Sequence, residues 1–204
     1  MGTNQVIVVD NREKLPLLFP EHLVARNPSA LPGSPSTVVY RLHVVSRELR
    51  TADYILEGSN GVGIERKKNL DELRGNLVDG QGRRRFLDCL DRLRTEFRHP
   101  WLLLEGDPLS LSKMVSPQAK PEVVRDLLLE ALMRYNVSLM TLPTHTPSQR
   151  RAAAEWAASL LILGAAAWPS TASSPSSSPS SVLPSTDRTS SPLVLPASSP
   201  STTS

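Results

Sequence analysis

Hydrophobic positions along the chain follow two periods, and the switch between them outlines the elements. Gln5 to Val9 is a β-rich apolar run that stops at the polar Asp10-Asn11-Arg12-Glu13. A strand buried on both faces reads this way, with a functional loop at its C-terminal end. Val38 to Val45 alternates: Val38, Tyr40, Leu42 and Val44 share one face, Arg41 and His43 the other. Between these strands, Leu15 to Pro35 is broken by Pro16, Pro20, Pro28, Pro32 and Pro35, which predicts loop with room for one helical turn. Asp53-Tyr54-Ile55-Leu56 and Val62 to Lys67 flank Gly58-Ser59-Asn60-Gly61, an antiparallel hairpin with Asn-Gly turn chemistry.

Helical spacing takes over further on. Asn69 to about Leu77 predicts a short helix. Gly82 to Arg98 predicts a longer one, with Phe86, Cys89, Leu90, Leu93 and Phe97 on its apolar stripe. Trp101 to Glu105 is another buried strand. Pro121 to Tyr135 is an amphipathic helix with proline in its first turn, and Val137 to Leu142 is a strand. Thr146-Pro147-Ser148-Gln149 is a capping box that opens a helix to about Ala166. Strands come first and then alternate with helices, which predicts an α/β domain around a mixed central sheet flanked by helices. No internal repeat is present.

Composition adds a boundary. From Pro169 to Ser204 there are 36 residues, of which 20 are Ser or Thr and 7 are Pro. Too little apolar area is available there to offset chain entropy, so residues 169–204 read as a disordered Ser/Pro/Thr-rich tail. Residues 1–168 hold all the aromatics and nearly all the charge, enough for one domain that folds alone. The single cysteine, Cys89, excludes an internal disulfide framework and reads as core. The four histidines lack metal-ligand spacing, and no apolar run is long enough to span a membrane. An intracellular location is expected: cytoplasm in a bacterium or phage, nucleus in a eukaryote. The net charge of +3 leans mildly toward anionic partners.

The hairpin carries the chemistry. Residues i and i+2 of a strand share a face, so Glu65 and Lys67 point one way and Arg66 the other. A turn centred on Asn60 sets Asp53 across from the Arg66–Lys67 region. Two carboxylates this close stay ionised together only beside a cation. A hard divalent ion with retained waters suits them, Mg²⁺ being usual when the substrate brings phosphate. Lys67 there could help deprotonate a water or stabilise charge on an attacked phosphate. The competing explanation is a salt bridge between Glu65 and Lys67 on an exposed strand.

These segments resemble a known family. Val9-Asp10-Asn11-Arg12-Glu13, Ala52-Asp53-Tyr54, Glu65-Arg66-Lys67-Lys68-Asn69-Leu70-Asp71 and Leu102-Leu103-Leu104-Glu105 are similar, in order, to the nuclease domain of XPF-type structure-specific endonucleases. That family lies within the restriction-enzyme-like nuclease superfamily, and its signature is Gly-Asp followed by Glu-Arg-Lys-x-x-x-Asp. The resemblance covers residues 5 to 166. It implies a restriction-endonuclease-like fold and Mg²⁺-dependent hydrolysis of DNA phosphodiesters at branched, flap or fork structures, in repair or recombination, with Mn²⁺ able to substitute. It implies that Asp53 and Glu65 hold the metal with the Arg66 carbonyl as third ligand, and that Lys67 contacts the attacking water or scissile phosphate. Asp10 and Glu13 would line the same site, Arg66 would bind phosphate or brace a carboxylate, and Asp71 would orient the basic residues. Ala52 departs from the signature, which has glycine there, and no helix-hairpin-helix module follows in this sequence.

Arg83-Arg84-Arg85, Arg92, Arg94 and Arg98 make the polar face of one helix basic. Arg83, Arg84, Arg85 and Lys68 are candidate DNA phosphate contacts, with Asp88, Asp91 and Glu96 as competing partners. The helix ending near Ala166 is apolar almost all round from Ala157 on and must be buried, in its own core or against another chain. The resemblance favours a homodimer, or a heterodimer with a chain of the same fold, through the helices at 121–135 and 147–166. A scaffold of the same fold that supports an active partner without cutting is the alternative function, and RNA is the alternative substrate.

Overall fold

The computed structural model describes residues 3–27, 36–106 and 120–167. The tail from 169 to 204 lies outside them. Among the described residues, seven strands and four helices occur in the order β1 (Thr3–Asp10), β2 (His22–Arg26), β3 (Thr37–Arg47), β4 (Tyr54–Leu56), β5 (Val62–Lys67), α1 (Leu70–Val78), α2 (Gly80–Glu96), β6 (His99–Glu105), α3 (Pro121–Tyr135), β7 (Ser138–Leu142) and α4 (Pro147–Ala167). They form one mixed sheet of order β2-β3-β1-β4-β5-β6-β7. β1 runs parallel to β3, and β5, β6 and β7 run parallel to one another. The short β4 joins the two halves by antiparallel pairing to β1 and β5.

The sheet divides two cores. α4 covers one face with Ala154, Ala157, Ala158, Leu161 and Ile162, packed on Ile7, Tyr54, Ile64 and Leu103. α1, α2 and α3 cover the other with Leu73, Phe86, Leu90, Leu93 and Leu128, packed on Leu102 and Leu104. α4 therefore spends most of its apolar surface inside this chain, and Leu161 is 1% exposed. Trp156 and Leu163 remain outside. So do Val123, Leu129 and Met133 of α3.

Local chemistry sets the element ends. The Asn69 side chain accepts from the Glu72 N–H and starts α1. Asp79 ends α1 and caps α2 through the Gly82 N–H, so α2 starts two residues before the point that spacing predicts. The capping box forms as its pattern requires: Gln149 N–H donates to Thr146 Oγ1, and Thr146 N–H donates to Gln149 Oε1. Asn136 closes α3 in the left-handed region, its N–H reaching the Leu132 and Met133 carbonyls.

Two expectations change. β2 exists where five prolines argue for loop. His22 to Arg26 alternates exposed and buried positions and adds antiparallel to β3, with Leu23 and Ala25 in the core. The hairpin register pairs Tyr54 with Ile64 and Ile55 with Gly63, so the turn centres on Ser59 rather than Asn60. Gly58 takes the left-handed conformation, and the Ser59 N–H returns to the Leu56 carbonyl. The ladder stops there: the Asp53 N–H bonds the Ile64 carbonyl and the Asp53 carboxylate accepts from the Arg66 N–H, which sets Asp53 beside Glu65. The hairpin lies tight on α4: a Cβ at Gly61 would sit 2.6 Å from the Gly164 carbonyl oxygen.

Candidate active site

β5 is buried along its whole length, and its alternation sorts three charges to two sides. Glu65 and Lys67 lie beside Leu102 and Leu104 on the α1–α2 face; Arg66 lies beside Leu103 on the α4 face. An exposed-strand salt bridge is therefore excluded as the explanation of Glu65 and Lys67. They are bridged at 2.8 Å, but both side chains are only about a tenth exposed.

A cleft of about 320 Å³ opens on the α1–α2 face. The end of β1 contributes Asp10 and the following turn Arg12 and Glu13; the segment entering β4 contributes Thr51, Ala52 and Asp53; β5 contributes Glu65 and Lys67; α2 contributes Arg85, Phe86, Cys89 and Arg92. The Asp53 N–H donates to the Ile64 carbonyl, and its carboxylate accepts from the Arg66 N–H at 2.7 Å. Burial, then the Glu65 charge, pushes the Asp53 carboxyl up to about 7. Burial works against the Lys67 ammonium, but Glu65 and Glu72 outweigh it and hold its pKa above the ordinary value. Its Nζ also stands 5.8 Å from the centre of the Phe86 ring. Asp10 titrates below the usual carboxylate range despite burial, because Arg12 grips both its oxygens and ties them to the Leu49 carbonyl.

Arg66 belongs to the opposite side. It pairs with Glu13 at 2.9 Å and Glu105 at 2.5 Å and donates to the Leu15 carbonyl. Thr144 donates to the second Glu105 oxygen at 2.6 Å. The Arg66 side chain thus braces carboxylates, while its backbone N–H fixes Asp53. Glu13 stands between the two settings, lining the cleft and pairing with Arg66.

Asp10, Glu13, Asp53, Glu65, Lys67 and Arg85 are brought together. Asp71 is not: it is 82% exposed on α1 and pairs with Arg74 at 3.4 Å. Lys68 is exposed, and neither it nor Arg84 lines the cleft; Arg83 leans toward Glu130 of α3 at 3.6 Å. Spacing along α2 explains the division of the arginines. Arg85, Cys89 and Arg92 are four and three residues apart and share a stripe, whereas Arg83 and Arg84 point elsewhere. Cys89 is a correction: it lines the cleft beside Glu65, and burial, then that carboxylate, raises its thiol to about 12. Sequence reasoning also missed Arg12, Arg50 and Thr51. Arg12 sits inside the quoted Asp10–Glu13 segment, where an i, i+2 ion pair was legible.

Ala52, where the signature has glycine, stands at φ +68° and is 4% exposed. The backbone there keeps a glycine conformation with an alanine in it, a strained choice for an L-residue.

With mixed topology, a buried acidic pair and a lysine on one face of the hairpin, the chain has the framework of a nuclease domain. A sequence model of the family described as ERCC4 domain matches residues 25–160, and the chain belongs to that family. The 3'-flap repair endonuclease Xpf of Saccharolobus solfataricus is 30% identical over 96 residues, 47% of this chain and 37% of that protein. Two solved structures are also similar, both 20% identical. XPF from Aeropyrum pernix matches with TM-score 0.47 over 78% of this chain and 64% of that one. The same protein in complex with DNA matches with TM-score 0.49 over 80% and 66%. The chain thus spans little more than a third of the curated relative and under two thirds of each solved chain. No helix among the described residues is long and apolar enough to cross a membrane.

Proposed function

We propose that this chain is a metal-dependent endonuclease that hydrolyses DNA phosphodiesters at branched, flap or fork structures, in repair or recombination. The observation that carries the proposal is that Asp53, Glu65 and Lys67 line one cleft in a chain of the ERCC4 family. Among the described residues no group of three or more His, Cys, Asp or Glu side chains is arranged to hold a metal. Two carboxylates and a backbone carbonyl do fit Mg²⁺, or Mn²⁺ in its place, because such an ion keeps several waters. The raised pKa of Asp53 supports that fit, since a carboxyl disfavoured as an anion by burial and a like charge is the one a cation would ionise.

Asp53, Glu65 and the Arg66 carbonyl would hold the ion, which when bound would polarise a phosphoryl oxygen and acidify a water. Lys67 places a positive charge where charge grows on the attacked phosphate. Its bridge to Glu65 holds the ammonium in the cleft before substrate arrives. Asp10 and Glu13 flank the water side, and Arg12 keeps Asp10 ionised. Arg66 holds the far face rigid, so its amide orients Asp53. Lys68, Arg83 and Arg84 stand outside the cleft as contacts for more distant phosphates, and Asp71 steadies Arg74 on α1.

The remaining parts are assigned with it: residues 1–168 as the nuclease domain and 169–204 as a dispensable tail. A homodimer or a pair with a second chain of this fold is the assembly assigned; Leu129 and Met133 of α3 and Trp156 of α4 lie on opposite faces of the sheet, so each helix offers a separate contact. Purified protein incubated with labelled flap, fork and duplex DNA, with and without Mg²⁺, tests the activity. Mg²⁺-dependent cutting of branched DNA that vanishes in Asp53→Asn and Glu65→Gln is the expected result. Binding without cutting would make the chain a scaffold subunit, and cutting of RNA alone would reassign the substrate.

A further inference from the structure

The cleft holds a hydroxyl and several cations that the carboxylate chemistry does not use. Thr51 lines it and is 5% exposed. Its Oγ1 is the buried side-chain polar atom without a hydrogen-bond partner among the described residues. A buried hydroxyl left without a partner is destabilising until a water, an ion or a ligand meets it. The chain is held stiffly at this point, because Ala52 takes the left-handed conformation and the Asp53 N–H is bonded to Ile64.

The cations divide into committed and uncommitted. Arg12 is spent on Asp10, and Lys67 on Glu65. Arg85 and Arg92 point into the same cleft from one stripe of α2, and neither makes a hydrogen bond or ion pair with another described residue. Arg50, adjacent to Thr51, has only a 3.8 Å contact with Glu96 and is 85% exposed. A hydroxyl donor among three weakly held guanidinium groups calls for a ligand with several anionic oxygens. A backbone phosphate meets that need, and Arg suits it because its donors form a planar fork.

We propose that Thr51 Oγ1, Arg50, Arg85 and Arg92 form a subsite for a non-reacting backbone phosphate of the bound nucleic-acid strand, next to the one at Asp53 and Glu65. This rests on the nuclease reading and adds the path of the strand beside the reacting phosphate: it runs along the stripe of α2 that carries Arg85 and Arg92.

Binding is measured by fluorescence anisotropy on the full chain with labelled flap DNA in EDTA, so that cutting plays no part. Thr51→Val and Arg92→Gln each weaken binding about fivefold, the worth of one hydrogen bond. Arg92→Gln also lowers the slope of log affinity against log salt by about 0.9, one phosphate contact. Thr51→Ser keeps the hydroxyl and binds like the wild type, as does Arg41→Gln on the exposed face of β3. Thr51→Val melts no lower than the wild type, since it removes an orphan; should it fail to fold, the Arg92→Gln slope decides. Wild-type affinity and slope in both Thr51→Val and Arg92→Gln overturn the subsite while leaving Mg²⁺-dependent cutting intact. Weakened variants of a wild type that binds but never cuts sink the nuclease reading and keep the subsite. A wild type that binds no DNA overturns both.

Discussion

The two faces of β5 bury charge in opposite ways. On the α4 side Arg66 meets Glu13, Glu105 and the Leu15 carbonyl, and burial is answered by enough partners to keep the guanidinium charged. On the cleft side Asp53 has one N–H donor and a like charge opposite, and its carboxyl rises to about 7. The two faces of the hairpin thus set a satisfied charge against an unsatisfied one. A satisfied buried charge holds a fold together; an unsatisfied one in an open cleft is a place for something to bind.

Breaking the satisfied side should cost most. Arg66→Met leaves two buried carboxylates without their cation and should lose about 3–5 kcal/mol in urea denaturation. Little or no loss would mean that the network is dispensable.

Removing charge from the other side should do the reverse for stability. The folded pKa of Asp53 lies above its unfolded value, so between about pH 4 and pH 7 the folded state binds more protons at this position. The contribution of this group therefore falls as pH rises through that window. At about 1.4 kcal/mol per pKa unit, the fall is bounded near 4 kcal/mol. Asp53→Asn should flatten that slope in EDTA and melt no lower than the wild type at pH 8. A variant that melts well below the wild type at pH 8 would put Asp53 on the satisfied side.

Mg²⁺ sharpens the same contrast. At a hundredfold excess over its dissociation constant, an ion that binds only the folded state adds about 2.7 kcal/mol. Thermal melts at pH 8 should rise with Mg²⁺ in the wild type and stay fixed in Asp53→Asn and Glu65→Gln. A rise in all three would place the ion elsewhere.

The smallest effect is expected at Ala52. Glycine relieves the φ of +68° but gives up a buried methyl and frees the unfolded chain, each worth about 1 kcal/mol. Ala52→Gly should stay within about 1 kcal/mol of the wild type and cut normally. A large loss would show that the Ala52 methyl anchors the loop beneath Asp53.

What the sequence discloses is what neighbours in the chain decide. The hairpin, the alternation of Glu65, Arg66 and Lys67, the Thr146 cap and the stripe of α2 all follow from spacings of two to seven residues. What stays hidden is set by partners far along the chain. Arg66 finds Glu105 39 residues on, and no spacing rule joins them. Cys89 reads as core from its helical period, because the stripe that faces Leu90 and Phe86 gives no sign of the opening between α2 and β5. The turn centre slips by one residue because either Ser59 or Asn60 satisfies the local chemistry, and the ladder beyond chooses.

β2 has a consequence for solubility. Among the described residues it is an edge strand, with no strand paired to its outer row of amides and carbonyls, and Val24 on it is 66% exposed. Such an edge invites a second molecule to add itself to the sheet. The strand is five residues long, starts at His22 and ends at Arg26, and Pro20 and Pro28 flank it in the sequence. A proline offers no N–H to a growing ladder, and a charge at the strand end is costly to cover. The prolines that disguise this strand in the sequence also limit the length over which another chain could zip onto it.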